Sequence, residues 1–490
     1  MKLKLQERGQ SLVLIALAAV ALFGFSALAI DGSRVFSDRR NAQNAADTAA
    51  LSAALAKIRG DSYVDAAVDR ATSNGYLDDI PNNDIDSTPK SDIEVHLCND
   101  PAITTACLGI PTSSPEPAKI IPANYIQVKI TSILPATFAR IIGREEFENI
   151  VTAIAYAGPV EPQPLIKGHA LAAMNKTDPN AIFGGGNMNL DVLNSGIFSN
   201  SAYSDKNCNH GSMYTNGNGT YSVDTAIEVV GSFCPGNNTK IDGKWNLTGQ
   251  LDLPTITIPI PKITCSGTGT TSWDNANKVV IYHPGNYSDK VDPDTASAIP
   301  SGQIPLEAHF SPGKYCFDKG VSFNGTDIIA NDVEFRFNGG DFTHNGGTFT
   351  CNDMLVHVNG GSGIKFNGNS NIYCNNVSFI LSTGNLTWNG ASNSRMYAPT
   401  GGDYKGVLFY SPYPNSGEIK INGNSNNQLT GSIIAVGAPI SVEGNNWTTG
   451  LHSQIIGDTV KLNGNGDLVI SYDPNEQYLQ IDPSAIQLTK

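Results

Sequence analysis

VSFNGTDIIANDVEFRFNGGDFTHNGGTFTCNDMLVHVNGGSGIKFNG, residues 321–368, repeats itself. A short apolar or aromatic strand ends in a glycine turn as VSFNG, FTHNG and IKFNG, and the pattern continues as LTWNG, IKING, ISVEG and VKLNG. The turn glycines stand at 325, 346, 368, 390, 423, 444 and 464, at intervals of 21, 22, 22, 33, 21 and 20 residues. A second strand follows each of the first five turns: VEFRF at 333–337, MLVHV at 354–358, VSFIL at 377–381, GVLFY at 406–410 and GSIIA at 431–435.

A fixed period with at least two strands per repeat is the pattern of a solenoid, in which each unit buries its inner face on the next. Alternation puts Val333, Phe335 and Phe337 on one face and Glu334 and Arg336 on the other. The residues two before each turn glycine share a phase, so Phe323, Phe366, Trp388, Ile421, Val442 and Leu462 are expected to stack in one inner ladder, with asparagines stacking at the turns. The reading is a right-handed parallel β-helix of about 20–22 residues per rung, clearest over 310–470. A sandwich of hairpins with Asn-Gly turns competes with it, because Asn-Gly is also a strong hairpin signal.

Upstream, NMNLDVLNSGIFSNSAY and EVVGSFCPG read as degenerate rungs. Leu251–Ile263, LDLPTITIPIPKI, is broken by proline and reads as an extended strap instead of a central strand. The 33-residue interval is one rung plus an insertion around Pro399–Lys405.

The other end of the chain differs in kind. From Gly9 to Ile30 no residue is charged, and SLVLIALAAVALFGFSALAI fills 11–30. About 20 apolar helical residues rise ~30 Å, enough to cross a bilayer. Lys2, Lys4 and Arg8 precede the run against Glu7 alone, so the N-terminus is expected in the cytoplasm and the bulk outside, at the cell surface. A signal peptide cleaved after Ala29 is the competing reading. A helical pattern resumes at Gly32 and carries an alanine stripe to Ile58; small residues permit close packing.

Residues 61–158 read as a small α+β module, with a helix over Asp65–Asn74, strands over Tyr125–Ile130 and Ile150–Tyr156, and a short helix over Pro135–Ile142. The alternate prolines of 159–164 suit a semi-rigid linker. The domains are therefore 1–60, 61–158, a linker at 159–165, and the solenoid at 166–490.

ERGQSLVLIALAAVALFGFSALAIDGSRVFSDRRNAQNAADTAALSAALA resembles the N-terminal domain of Tad (tight-adherence) or Flp pilus-assembly proteins of the TadE/TadG-like kind. The resemblance rests on Arg8-Gly9-Gln10, Asp31, and Gln43-Asn44-Ala45-Ala46-Asp47 before alternating alanines. It implies a bacterial membrane protein, single-pass, working with other Tad/Flp pilus components. NYIQVKITSILPATFARIIG followed by VTAIAYAG resembles the continuation of TadG-like proteins. Prepilin-like members are cut after the glycine and carry a glutamate five positions on; here that position is Leu14. The resemblance thus favours a TadG-like accessory or tip role with a retained anchor. The stretch APTGGDYKGVLFYSP and the strand-Asn-Gly repeats also resemble modules behind Tad-like anchors in other surface proteins.

The formal charge of −14 argues against a basic surface for nucleic acid or anionic lipid. Eight cysteines, all beyond the apolar segment, fit an oxidising compartment, and their order suggests bridges 98–107, 208–234, 265–316 and 351–374. No phosphate-loop, HExxH or GxSxG motif occurs; Gly184-Gly185-Gly186 reads as loop, and Cys208-Asn209-His210 is the nearest approach to a metal site. No catalytic, cofactor or metal residue is assigned, and the chain reads as non-enzymatic. The enzymatic alternative is glycan cleavage, with Asp332 and Glu334 outward on one strand, Asp341 nearby, and Arg336 positioned to pair with Glu334. Trp388 and Trp447 could bind a glycan target, but their phase favours the core.

Overall fold

The computed structural model describes residues 10–78, 90–100, 107, 122–158, 162–389, 393–481 and 486–489. The basic flank Lys2, Lys4 and Arg8, with Glu7 and Gly9, lies outside the described residues, as do Gly390 and 159–161. The chain divides into two compact units, 1–161 with 481–490, and 162–480.

In the first unit, α1 (Gln10–Arg59) is one helix, joining the apolar run to the alanine stripe without a break. No proline or tight turn interrupts it, and helix formers fill its second half. Leu12–Ile30 packs on almost nothing, whereas Ala42, Ala45, Ala46, Ala49, Ala50, Ala53 and Ala54 are fully buried. Those alanines recur at three- and four-residue intervals, so they form one face. That face lies against an antiparallel sheet, β1 (Lys90–Leu97), β2 (Tyr125–Pro135) and β3 (Glu146–Ala157). Without long side chains on the helix, the two backbones approach closely.

The helix α2 (Tyr63–Ser73) starts where Ser62 accepts a hydrogen bond from the backbone of Asp65. The short helix expected from Pro135 is a single 3-10 turn at Ala139–Ile142, and Pro135 instead ends β2. The boundary read as 166–490 also differs at both ends. Pro162–Pro164 pairs as a strand with Leu479–Ile481 in place of a free linker. Ile486–Leu488 then returns to the first unit as a strand beside β3. Three-residue strands carry too little periodicity to be seen in a sequence.

The second unit is mostly strand, paired largely in parallel with the next repeat. Phe323 pairs with His344, then Phe366, Trp388, Ile421, Val442 and Leu462 follow in unbroken register. All of them are buried. His344 belongs to this ladder as well, since FTHNG places it two residues before Gly346. The turn asparagines stack too: Asn345 donates to Asn324, Asn367 to Asn345, Asn389 to Asn367 and Asn422 to Asn389, at 2.9–3.1 Å. The Asn-Gly steps therefore do not close hairpins. Among the described residues, the antiparallel neighbours in this unit's large sheet are Thr270–Asp274 and Val279–His283.

The ladder does not stop at Leu462. It pairs with Gly184, and Gly184 with Thr215, so the segment 182–247 stacks beyond the last repeat. The spatial order of the strands is thus a permutation of the chain order. After Leu247 the chain must return to Thr270 at the opposite end, and the proline-broken segment makes that journey.

Its anchors confirm the path. Leu251 exchanges hydrogen bonds with Asn200, Thr257 meets the Tyr478 hydroxyl, Arg336 donates to the Ile263 carbonyl, and Cys265 is bonded to Cys316. From Phe198 to Cys316 the register takes eight steps, through Ala172, Ile456, Ile434, Tyr410, Ile380, His357 and Arg336. At about 4.8 Å per step that is ~38 Å. Fourteen residues in polyproline-like geometry, at about 3.1 Å each, reach ~43 Å. An extended, proline-rich segment fits that span, and Ile256 and Ile258 bury outward apolar residues of the column.

The four cysteine pairs are Cys98–Cys107, Cys208–Cys234, Cys265–Cys316 and Cys351–Cys374. These are the pairs their order suggested. Cys351 and Cys374 are also register partners on adjacent strands.

Candidate functional site

In successive repeats the backbone bends at one corner. Asn331, Asn352 and Asn375 are in register, and the residue after each, Asp332, Asp353 and Asn376, has a positive φ of 55°, 53° and 51°. Short polar side chains tolerate this left-handed conformation best. Asp332 is therefore at a bend, not on the flat of the strand with Glu334.

The corner still brings the two together. Asp332, Glu334 and Asp353 line a cleft of about 360 Å³ with Asn376, Pro399 and Tyr404, the last two supplied by the insertion in the long repeat. Asp341 is not among its lining residues: it pairs with Lys365 at 2.8 Å and accepts from the Ser362 amide. Asp353 was missed by the sequence reading, although it stands one period after Asp332. The signal that finds it is repeat phase.

Two of the three carboxylates, Glu334 and Asp353, are engaged. Glu334 pairs with Lys314 at 3.0 Å, not with Arg336, whose guanidinium is taken by the Ile263 carbonyl of the strap. Asp353 accepts from Asn352 at 2.6 Å and from Asn376 at 2.8 Å. Burial, with the nearby charges of Asp403 and Glu334, pushes the Tyr404 phenol up to about 12, so it is a neutral donor at the cleft wall.

The remaining candidates are structural. Trp388 and Trp447 are fully buried, and the Trp447 indole donates to the Asn427 carbonyl. Cys208 is bonded to Cys234, while the His210 ring meets Asn180. Gly184-Gly185-Gly186 is not a loop but part of the strand Ile182–Leu193. A side chain at 184 would strike Tyr221, and one at 186 the Gly464 backbone.

A second recess, about 570 Å³, lies at the end of the parallel stack. Tyr282, Tyr287, Asp289, Asp292 and Thr295 are among its lining residues. The Tyr282 hydroxyl is buried there without a hydrogen-bond partner.

In the first unit, Asp31 at the outer end of the apolar run is the polar centre. Its carboxylate accepts the backbone N–H groups of Thr137 at 3.1 Å, Phe138 at 2.8 Å and Ala139 at 2.7 Å. This is what opens the 3-10 turn. Further along, Asp38 accepts from Asn149 at 2.8 Å and from the Tyr76 hydroxyl at 3.1 Å.

Helix, polar centre and alanine stripe coincide with a family match. Residues 9–56 fit the Tad family, described as Flp pilus-assembly TadE/G-like. This segment marks a pilus-assembly-related membrane protein, and Leu12–Ile30 lies in a helix long and apolar enough for a single-pass anchor. No curated protein and no solved structure matches the chain.

Proposed function

We propose that the chain is a membrane-anchored, TadG-like component of a Tad/Flp pilus apparatus, with its N-terminus in the cytoplasm and its bulk outside. The body is a right-handed parallel β-helix in a structural or adhesive role without catalysis. The observation that carries this reading is that the family match falls on one continuous helix. Its first half exposes apolar sides over a bilayer's thickness, and its second half builds the core of the next module.

Four disulfides support an oxidising location for everything beyond the helix. The continuous parallel register supports the β-helix, and right-handed crossovers are the rule between parallel strands. For an adhesive role the end recess supplies the means: ring faces, hydroxyls and carboxylates together suit a sugar's mixed surface.

The test is fractionation of cells expressing the full chain. It should stay in membranes through carbonate extraction, and external protease should reach the body. A soluble chain starting at Ile30 would defeat the anchor. Deleting the gene should reduce assembled pili or surface attachment.

One observation favours a second reading, glycan cleavage: the cleft lined by Asp332, Glu334 and Asp353. Release of reducing ends from a polysaccharide, lost in Asp332→Asn, would establish it. Engagement of Glu334 and Asp353 by Lys314, Asn352 and Asn376 favours the non-enzymatic reading.

A further inference from the structure

Beyond the apolar run itself, the described residues of the first unit leave a few apolar side chains exposed, Phe36 among them, and only one group of them lies against that run. In the 3-10 turn and just before it, Phe138, Ile141 and Ile142 are 38%, 85% and 71% exposed. Exposed isoleucines next to each other on a soluble module are costly, and such patches mark interaction surfaces. The turn is not free to hide them. Asp31, itself 2% exposed, holds three of its amides, and Arg34 donates to the Thr137 hydroxyl.

Asp31 directly follows Ile30, the last residue of the apolar run, so the patch is pinned level with the outer end of the span. A groove of about 450 Å³ runs from it down the helix, lined by Phe138 and Ile141 above and by Ile30, Ala27, Phe23 and Val20 below. From Ile30 to Val20 the helix descends ~15 Å, half the hydrocarbon thickness. An occupant must therefore be apolar and reach about mid-bilayer.

We infer that the turn 138–142 is a second membrane contact, dipping its isoleucines into the outer leaflet and seating a lipid acyl chain in the groove. An acyl chain has the required length and chemistry, and it is present wherever the helix crosses. Arg34 follows Ile30 by one helical turn and Arg140 stands in the turn itself, so two cations able to meet lipid phosphates flank the groove, with Arg144, Glu145 and Glu146 further on. The contact fixes the tilt of the long helix relative to the membrane, because a single span alone leaves tilt to its neighbours. The inference rests on the anchor reading, and the experiment separates the two.

The full chain is reconstituted in vesicles of phosphatidylethanolamine and phosphatidylglycerol. Single cysteines, Ile141→Cys, Leu22→Cys and Ile304→Cys, each carry an environment-sensitive fluorophore; the native cysteines are all in disulfides. Leu22 reports the span, and Ile304, 74% exposed in the second unit, reports water. The expected result is a blue-shifted Ile141 probe, quenched by shallow-labelled lipids and at least fivefold less by aqueous iodide than the Ile304 probe. Adding Asp31→Asn should return the Ile141 probe toward water while the Leu22 probe stays in lipid.

An Ile141 probe that behaves like Ile304 while Leu22 reports lipid overturns the inference and leaves the anchor intact. Aqueous behaviour of both overturns the anchor. Shielding of Ile141 in native membranes but not in the vesicles would show that another protein fills the groove, and would also overturn it.

Discussion

The two units solve the same problem with opposite materials. In the first, a helix buries alanines against a sheet, and the smallest side chains do the packing. In the second, repeated strands bury phenylalanine, tryptophan and branched residues, and each position recurs about 21 residues on. Close approach of backbones gives the first its core; stacking of large side chains gives the second its own. The difference predicts which substitutions each tolerates. Adding volume should break the first unit, and removing it should break the second.

Trp388→Ala should be the largest lesion, about 3–5 kcal/mol for a core aromatic. Calorimetry of the full chain should show the transition of the strand body falling while the other transition holds. Because the indole N–H of Trp388 has no partner, its loss strands no acceptor. The adjacent outward change Thr387→Ala should leave both transitions in place.

Acid should come next. Burial holds His344 and His357 down to about 4, well below the usual value of 6.5. The unfolded chain binds more protons than the native one between these values, so stability is full above pH ~6.5 and is lost as pH falls toward 4. On the order of 3 kcal/mol is at stake at fully buried His344. His344→Gln should flatten the fall in melting temperature between pH 6.5 and 4; an unchanged slope would show that the ladder does not hold a neutral imidazole.

Ala49→Leu tests the other unit from the opposite side. Overpacking typically costs about 1–3 kcal/mol, and here the backbone of the sheet must move. The same size increase at half-exposed Thr387 should cost little, which sharpens the contrast. Smallest of all, Asn367→Ala removes two links of the asparagine ladder, on the order of 1 kcal/mol. Denaturant titration should resolve it only as a small shift in midpoint with constant slope.

What was readable follows the same division. Repetition made the body legible: glycines at intervals of 20–22 residues, with one of 33, set the phase, and phase alone put Phe323 through Leu462 in one ladder. The four cysteine pairs followed from their order along the chain. The junction of Leu462 with Gly184 was not readable, because at that rung the ladder residue is a glycine and the phase has no side chain to mark it. Nor was Asp31 readable as a cap for a turn more than a hundred residues away, since no local pattern links them. In the acidic cleft, Asp332 and Glu334 were seen, but strand alternation put Asp332 on a flat face; the left-handed corner that admits Asp353 appears only when three repeats are aligned.

The permuted stacking has a consequence in time. Synthesis delivers residues 182–247 more than two hundred residues ahead of the strand they rest on, Val460–Ser471. Until then the early strands have one partner fewer. Closure waits for the final thirty residues, whose last strand, Ile486–Leu488, also completes the sheet beside β3. Loss of Val460–Ser471 and Ile486–Leu488 together would therefore remove structure from both units, while the strands of 307–435, which pair with their sequence neighbours, would keep their partners.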